Sequence, residues 1–164
     1  MTDARSVARH GLVIGRFHPP HRGHKHLIDT AADQVDRLTV VAFGRTGEEP
    51  SIELRGGWLA AIHPQPHVRV VPLLRDRRTD FADPALWEEW MLDIRAAAGP
   101  SGPVDVVFSS EPYGSELARR LGAAEVVVDG ERSTVPISGT RIRADPRAHL
   151  DFLEPVVRAW YEQQ

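Results

Sequence analysis

The chain of 164 residues contains no cysteine, which excludes disulfides, thiolate nucleophiles and zinc sites with cysteine ligands. No apolar run approaches the ~20 residues that a membrane-spanning helix needs, and residues 1–10 lack the apolar centre of a secretion signal. With 20 basic against 23 acidic residues, the chain also lacks the positive excess that sequence-independent nucleic-acid binding requires. These absences predict a cytoplasmic protein with neither a membrane nor a nucleic acid as partner.

The remaining composition is that of an ordinary globular protein, with 41% hydrophobic and 26% charged residues. A chain of this length favours one domain with its own hydrophobic core. We therefore expect residues 1–164 to form a single domain, with a core at about 11–145 and a C-terminal helical tail at about 146–164.

Strand and helix patterns alternate along the chain, and the strands are apolar throughout. The predicted strands are 12–14, 38–43, 68–74, 104–108 and 125–128. The predicted helices are 23–35, 51–62, 83–99, 113–121, a short helix capped by Ser138, and 150–161. This order favours an α/β protein with a Rossmann-like, doubly wound, parallel five-stranded sheet and helices on both faces. Such a sheet binds ligands at the carboxyl ends of its strands. Candidates for mobility are the loops 44–50, 75–82 and 129–136.

The segment after the first strand has the residues of a phosphate-binding turn. Residues 15–24 read G-R-F-H-P-P-H-R-G-H and lead at once into a helical pattern. A helix N-terminus offers unpaired N–H groups and the positive end of its dipole, and Gly23 lets a ligand approach the backbone. The imidazoles of His21 and His24 can donate hydrogen bonds to phosphate oxygens. Two surface histidines in a polar turn are the alternative, which the flanking strand and helix disfavour.

The same region is locally basic in a chain of net charge −3. No Asp or Glu occurs between residues 4 and 28, whereas Arg16, Arg22, Lys25 and four histidines lie between residues 16 and 26. We interpret this imbalance as a local cationic pocket.

A metal site is the rival interpretation of these histidines. Its ligands would be His18, His21, His24 and His26. No carboxylate partner lies nearby in the sequence, and the Pro-Pro pair interrupts a helical ligand face. We therefore predict no protein-bound metal.

A second motif, I-S-G-T-R-I-R at residues 137–143, also suits phosphate. The hydroxyls of Ser138 and Thr140 lie at a predicted helix start, and Arg143 adds a fork of N–H donors. A serine at a helix start is usually only a cap, so this motif gains its meaning from occurring together with the first.

The two motifs together resemble the nucleotidyltransferase superfamily of His-x-Gly-His adenylyl- and cytidylyltransferases. Within it, the chain is most similar to the nicotinamide mononucleotide (NMN) adenylyltransferase domain of NadR-like proteins. Further stretches carry the resemblance, which covers roughly Gly11 to Arg158: I-E-L-R-G-G-W-L-A-A-I-H-P, D-P-A-L-W-E-E-W, F-S-S-E-P-Y-G-S-E-L-A-R-R-L-G-A and V-P-I-S-G-T-R-I-R-A-D-P.

The resemblance implies roles for particular residues. Catalysis falls to His21, His24 and Arg143. The residues that would bind ATP are Gly15, Arg16, Phe17, His21, His24, Ser109, Glu111, Ser138, Thr140 and Arg143. Those that would bind NMN are Phe17, Trp87 and Trp90. One tryptophan would stack on the pyridine, although both also suit a helix face that packs in the core. The resemblance leaves the roles of His18 and Lys25 open.

The reaction implied is transfer of AMP from ATP to NMN, giving NAD and pyrophosphate, with Mg²⁺ carried by the triphosphate. Nicotinate mononucleotide or another phosphorylated acceptor is an alternative, and so is a non-catalytic module that senses NMN, NAD or ATP. The chain contains no G-x-x-x-x-G-K-[ST] loop, so we expect no kinase domain. Members of the family are often oligomeric, which makes a homo-oligomer possible. Relatives often have Ser or Ala at the position of Gly139, and we expect this difference to matter little.

Overall fold

A computed structural model describes residues 9–164; residues 1–8, which form most of the segment inspected for a secretion signal, lie outside the described part. The strands are β1 (His10–Gly15), β2 (Arg37–Gly44), β3 (Val68–Leu74), β4 (Val106–Ser109) and β5 (Ala124–Val127). The α-helices are α1 (Arg22–Ala32), α2 (Ile52–Ile62), α3 (Pro84–Ala98), α4 (Gly114–Leu121), α5 (Gly139–Ala144) and α6 (Pro155–Glu162). Within this part of the chain, no helix combines the length and apolar character needed to cross a membrane.

The sheet has the order β3-β2-β1-β4-β5, and every pair of neighbouring strands is parallel. The register pairs Val13 of β1 with Val40 of β2 on one side, and Gly11 of β1 with Val106 of β4 on the other. The chain therefore winds first to one side of β1 and then to the other. The predicted doubly wound, parallel five-stranded α/β fold is confirmed.

The two faces of the sheet carry separate hydrophobic layers, because successive side chains of a strand point to opposite faces. Leu12 packs in one layer with Met91 of α3 and Leu117 of α4. Val13 packs in the other layer with Ile28 of α1 and Leu59 of α2. Each buried aliphatic side chain stabilises the fold by roughly 1.5–3 kcal/mol. The central strands are thus covered on both sides, as their continuous apolar sequences predicted.

The C-terminal tail differs from the prediction of one helix over residues 150–161. It contains a 3₁₀ segment, Pro146–Phe152, followed by a break and then α6. Pro155 explains the break because proline disfavours helical dihedrals at the residue before it, and Glu154 is extended at φ −67° and ψ 154°. Helix α6 packs back on the domain through Val157 and Tyr161, which share a cluster with Trp58 of α2 and Ile142 of α5.

The change of winding direction between β1 and β4 leaves a crevice at their carboxyl ends. Loops that follow adjacent parallel strands diverge at such a point, which makes it the usual ligand site of open α/β sheets. The loops 15–21 and 110–113 leave the sheet there. The hydroxyl of Tyr113 donates to the carbonyl of Ile14 (2.9 Å) and ties the two loops together.

Candidate active site

A cavity of about 490 Å³ opens at the carboxyl edge of the sheet, where the switch of winding predicts it. Most residues proposed from the sequence line it, although they come from four separate segments of the chain. The predicted residues in its wall are Gly15, Arg16, Phe17, His21, His24, Trp87, Trp90, Glu111, Ser138, Thr140 and Arg143.

Ser109 is the one predicted contact that does not line the cavity, although its neighbours Ser110 and Glu111 do. Its side chain is buried, and its Oγ accepts the N–H of Glu111 (2.9 Å) and donates to the Glu111 carbonyl (3.0 Å). Because these bonds use the hydroxyl within the loop, Ser109 shapes the turn that presents Ser110 and Glu111. The structure does not place it against a ligand.

The turn at His21 and His24 is held by reciprocal hydrogen bonds at the start of α1. The Nδ1 atom of His21 accepts the N–H groups of Gly23 (3.0 Å) and His24 (3.3 Å). In return, the N–H of His21 donates to Nδ1 of His24 (3.2 Å). These bonds form a capping box in which imidazoles replace the usual Ser and Glu side chains.

The capping box changes how this turn can bind phosphate. The sequence predicted unpaired N–H groups at the helix start, but those of Gly23 and His24 are already bonded to His21. The N–H of Lys25 is also used, because it donates to the carbonyl of His21 (3.0 Å). The donors left for a ligand are therefore chiefly the imidazole nitrogens, with little contribution from the helix backbone.

Both imidazoles are neutral near neutral pH. Burial lowers the pKa of His21 to about 3, and the charge of Arg132 adds to the effect. Burial also lowers the pKa of His24, with further contributions from His21 and Arg132. Because each Nδ1 accepts a backbone N–H, the single proton of each neutral ring sits on Nε2. The rings stack with centroids 3.6 Å apart, and the buried Nε2 of His21 has no hydrogen-bond partner within residues 9–164.

Gly23 is required by the position of the His21 ring. A Cβ atom at residue 23 would lie 2.8 Å from Cε1 and 3.0 Å from Nδ1 of His21. Any side chain there would push the ring out of its capping position. The glycine of the motif thus serves the histidine that precedes it, in addition to leaving space for a ligand.

The positive charge of the cavity comes from a different set of residues than the sequence indicated. Lys25 pairs with Asp29 (2.5 Å), and neither it nor Arg22 lines the cavity. The histidines are neutral, as described above. The cations in the wall are arginines from distant segments of the chain: Arg16, Arg45, Arg75, Arg132 and Arg143. Arg16 belongs to the predicted basic stretch and Arg143 to the predicted second motif, whereas Arg45, Arg75 and Arg132 were not predicted from the sequence.

Arg16 lies in a strongly positive environment. Its pKa is lowered by burial and then by the charges of Arg45, Arg55 and Arg143. Glu48 is the carboxylate that pairs with Arg16. An anion bound at this end of the cavity would relieve the repulsion among these guanidinium groups, as expected for a phosphate site.

A buried ion pair, Glu48–Arg55, organises this end of the cavity and was not predicted from the sequence. The side chain of Arg55 is completely buried and donates to Glu48 (2.9 Å), to the Pro50 carbonyl (3.0 Å) and to the Arg16 carbonyl (2.5 Å). Glu48 also accepts the N–H of Arg45 (2.6 Å). Burial lowers the pKa of Arg55 to about 10, so the group stays charged at neutral pH. The pair therefore anchors loop 44–50, which the sequence had suggested as a mobile segment.

A side chain of the second motif donates a hydrogen bond to a backbone carbonyl of the first motif. Nη1 of Arg143 donates to the carbonyl of His18 (2.5 Å), and the Oγ of Ser138 accepts the N–H of Arg141 (3.3 Å) as the cap of α5. The expectation that Gly139 matters little is wrong. A Cβ atom there would lie 2.9 Å from the backbone oxygen of His18 and 3.1 Å from Nη1 of Arg143.

His18, whose role the sequence left open, holds the loop of the first motif against loop 44–50. Its Nε2 donates to the carbonyl of Glu49 (3.0 Å), and burial lowers its pKa to about 4. A metal site would need the four histidines to converge, but Nε2 of His18 is engaged with Glu49. Within residues 9–164, no group of three or more metal-ligating side chains is arranged around a common point.

Aromatic side chains line the end of the cavity next to α3. Trp87 is buried, and its indole N–H donates to the carbonyl of Phe81 (3.0 Å). Trp90 is half-buried and meets the edge of Phe43, with ring centroids 4.7 Å apart. Phe81 stacks on Tyr113 at 5.2 Å. Both tryptophans therefore pack in the core and border the cavity, so the two roles weighed for them are compatible.

Substitution of Gly23 tests whether the His21 ring position matters for ligand binding. We expect Gly23→Ala to weaken MgATP binding at least ~10-fold, because the new Cβ displaces the ring that carries an Nε2–H donor. Gly57→Ala is the matched control, since a Cβ there meets nothing within 4 Å. It should leave the affinity within about twofold and raise helix stability by up to ~1 kcal/mol. Isothermal titration checks both, and unchanged binding by Gly23→Ala would contradict the capping role.

Solved structures of known proteins share this fold. NadR in complex with NAD and AMP-PNP superposes with a TM-score of 0.68 at 22% identity, covering 92% of this chain and 46% of that one. A bifunctional NMN adenylyltransferase/ADP ribose pyrophosphatase from Francisella tularensis, complexed with AMP and a manganese ion, gives a TM-score of 0.61 at 17% identity, over 90% and 43% of the two chains.

Proteins of similar sequence include NadR proteins and nicotinamide-nucleotide adenylyltransferases. The trifunctional NAD biosynthesis/regulator protein NadR of Salmonella typhimurium is 27% identical, over 92% of this chain and 40% of its own length. The nicotinamide-nucleotide adenylyltransferase of Methanospirillum hungatei is 27% identical, over 89% of this chain and 83% of its own. The chain thus spans about 40% of the length of the NadR proteins that it matches. Residues 12–145 match the cytidylyltransferase-like family, and with its parallel sheet and paired motifs the chain belongs to that family.

Proposed function

We propose that the protein transfers AMP from ATP to NMN, giving NAD and pyrophosphate. The observation that carries the proposal is the capped His21–His24 pair, whose two imidazoles line a cavity rich in arginine and each carry their proton on Nε2. The aromatic end of the same cavity suits the pyridine ring of the acceptor. The choice of NMN as the acceptor rests on the relatives that are nicotinamide-nucleotide adenylyltransferases.

The chemistry requires placement and charge neutralisation more than proton transfer. An oxygen of the NMN phosphate attacks the α-phosphorus of ATP, and the bond from that phosphorus to the β-phosphate oxygen breaks in line, releasing pyrophosphate. A phosphate nucleophile is already ionised and needs no general base. In this proposal His21 and His24 donate to phosphate oxygens, while Arg143 and Arg16 balance the charge of the leaving group.

Mg²⁺ belongs to the substrate in this proposal, because it enters bound to the triphosphate and neutralises part of its charge. Gly15, Phe17, Ser138 and Thr140 border the nucleotide with backbone and hydroxyl groups. Trp87 or Trp90 stacks on the pyridine. The reaction takes place in the cytoplasm, as expected from the sequence.

Replacement of His24 tests the role of its imidazole. We expect His24→Ala to lower the turnover number for NAD synthesis at least ~100-fold, because the transition state loses a positioned donor. His26→Ala is the control, since His26 lies on the same helix but outside the cavity wall. It should change turnover by less than about threefold. Thermal unfolding of both variants verifies the fold, and near-normal turnover by His24→Ala would refute the assignment.

A panel of acceptors tests the reaction itself. The protein is incubated with MgATP and NMN, nicotinate mononucleotide or nicotinamide riboside, and pyrophosphate and dinucleotide are measured. We expect NAD and pyrophosphate in equal amounts with NMN, and none with the riboside, which lacks the nucleophilic phosphate. If product forms only with nicotinate mononucleotide, that compound and not NMN is the acceptor. Binding of ATP without pyrophosphate release from any acceptor would indicate a sensing module and contradict the proposed enzyme.

A further inference from the structure

Arg132 lines the cavity but belongs to neither phosphate motif. It lies in the loop 129–136 between β5 and α5, another segment that the sequence had suggested as mobile. The carboxylate of Asp129 orders this loop by accepting the N–H groups of Ser133 (2.8 Å), Thr134 (2.9 Å) and Val135 (3.0 Å). Arg132 is thus presented by a hydrogen-bonded turn.

The guanidinium of Arg132 joins two sides of the cavity. Its Nη1 donates to the carbonyl of Ile137 (2.7 Å), the residue directly before Ser138 in the second motif. Its Nη2 pairs with the carboxylate of Glu111, which follows β4. The backbone of Arg132 has φ +54°, a sparsely populated conformation for a residue other than glycine. Such conformations persist where surrounding contacts fix them, and they cluster at ligand sites.

The charge of Arg132 acts on the first motif as well. Arg132 lines the same cavity as His21 and His24, and its positive charge contributes to the low pKa of both imidazoles. The anion that pairs with Arg132 is the Glu111 carboxylate. Arg132 therefore lies in the cavity wall together with residues of both phosphate motifs.

The ion pair between Glu111 and Arg132 costs little to break, so Arg132 can bind another anion instead. The two side chains are 44% and 36% exposed, and ion pairs with this much exposure contribute little to stability. A triphosphate offers several charged oxygens to the same guanidinium fork, and bidentate arginine–phosphate contacts are among the strongest hydrogen bonds in proteins.

We propose that Arg132 is a further phosphate-binding residue of the ATP site, whose guanidinium exchanges the Glu111 carboxylate for phosphate oxygens when ATP binds. The contact to the Ile137 carbonyl keeps the guanidinium beside the second motif during the exchange. Released from Arg132, Glu111 is free to accept hydrogen bonds from the ribose of ATP, the ligand that the family resemblance assigns to it. This inference rests on the proposed function only in taking ATP as the nucleotide.

Titration of MgATP without an acceptor tests the inference. We expect Arg132→Ala to raise the dissociation constant of MgATP roughly 10- to 100-fold, and Arg132→Lys to have an intermediate effect because it keeps the charge without the fork. Arg141→Ala is the matched control. Arg141 also donates to a loop carbonyl, that of Pro136 (3.1 Å), but it does not line the cavity. Its loss should change the dissociation constant by no more than about twofold.

The variant Glu111→Gln tests whether Arg132 leaves Glu111 when ATP binds or stays paired with it. The amide keeps a carbonyl oxygen for the ribose but loses the negative charge that holds Arg132, so any loss of MgATP affinity should be clearly smaller than the loss in Arg132→Ala. Three results would overturn the inference: unchanged binding by Arg132→Ala, equal weakening by Arg132→Ala and Arg141→Ala, or weakening by Glu111→Gln comparable to that by Arg132→Ala. Because no acceptor is present, failure to make NAD from NMN would leave this test unaffected.

Discussion

The reciprocal hydrogen bonds between His21 and His24 are the constraint on which the rest of the site depends. Each Nδ1 accepts a backbone N–H, so each neutral ring must carry its proton on Nε2. Gly23 has no side chain because the His21 ring occupies the space of its Cβ. The same bonds begin α1 directly after the β1 loop. One local arrangement thus sets the tautomer of the ligand donors, the identity of the glycine and the start of the helix.

Three arginines around the cavity share one mode of attachment. Arg55, Arg132 and Arg143 each donate to a main-chain carbonyl, those of Arg16, Ile137 and His18. Guanidinium has five N–H donors, so a group fixed by one carbonyl still has donors for an anion. Arg132 and Arg143 line the cavity, whereas Arg55 meets Glu48 in the interior. These guanidinium groups are held in place by main-chain carbonyls, and carboxylates pair with two of them, Glu48 with Arg55 and Glu111 with Arg132.

The sequence was a good guide to local structure and to the two motifs, because strand periodicity, helix caps and turn residues are written in neighbouring positions. It was a poor guide wherever distant segments meet. The guanidinium of Arg55 is buried against the carbonyl of Arg16, which lies 39 residues away along the chain. Nothing in I-E-L-R distinguishes this residue from a surface arginine. The cost of a side chain at Gly139 likewise comes from the distant His18. Ser109 is an exception, because its hydroxyl is bonded within its own loop.

The tautomers and charges of His21 and His24 are the central claim, and nitrogen NMR of the imidazoles measures them directly. Because the pKa of His21 lies at about 3 in the folded protein and near 6.5 when unfolded, its neutral form supports folding above pH 6.5. That support is lost as pH falls from 6.5 toward 3. We predict that both rings show protonated Nε2 and unprotonated Nδ1 at pH 7, and that His21 does not titrate down to pH 5. Titration of His21 near pH 6.5, or a proton on Nδ1 at pH 7, would contradict the account.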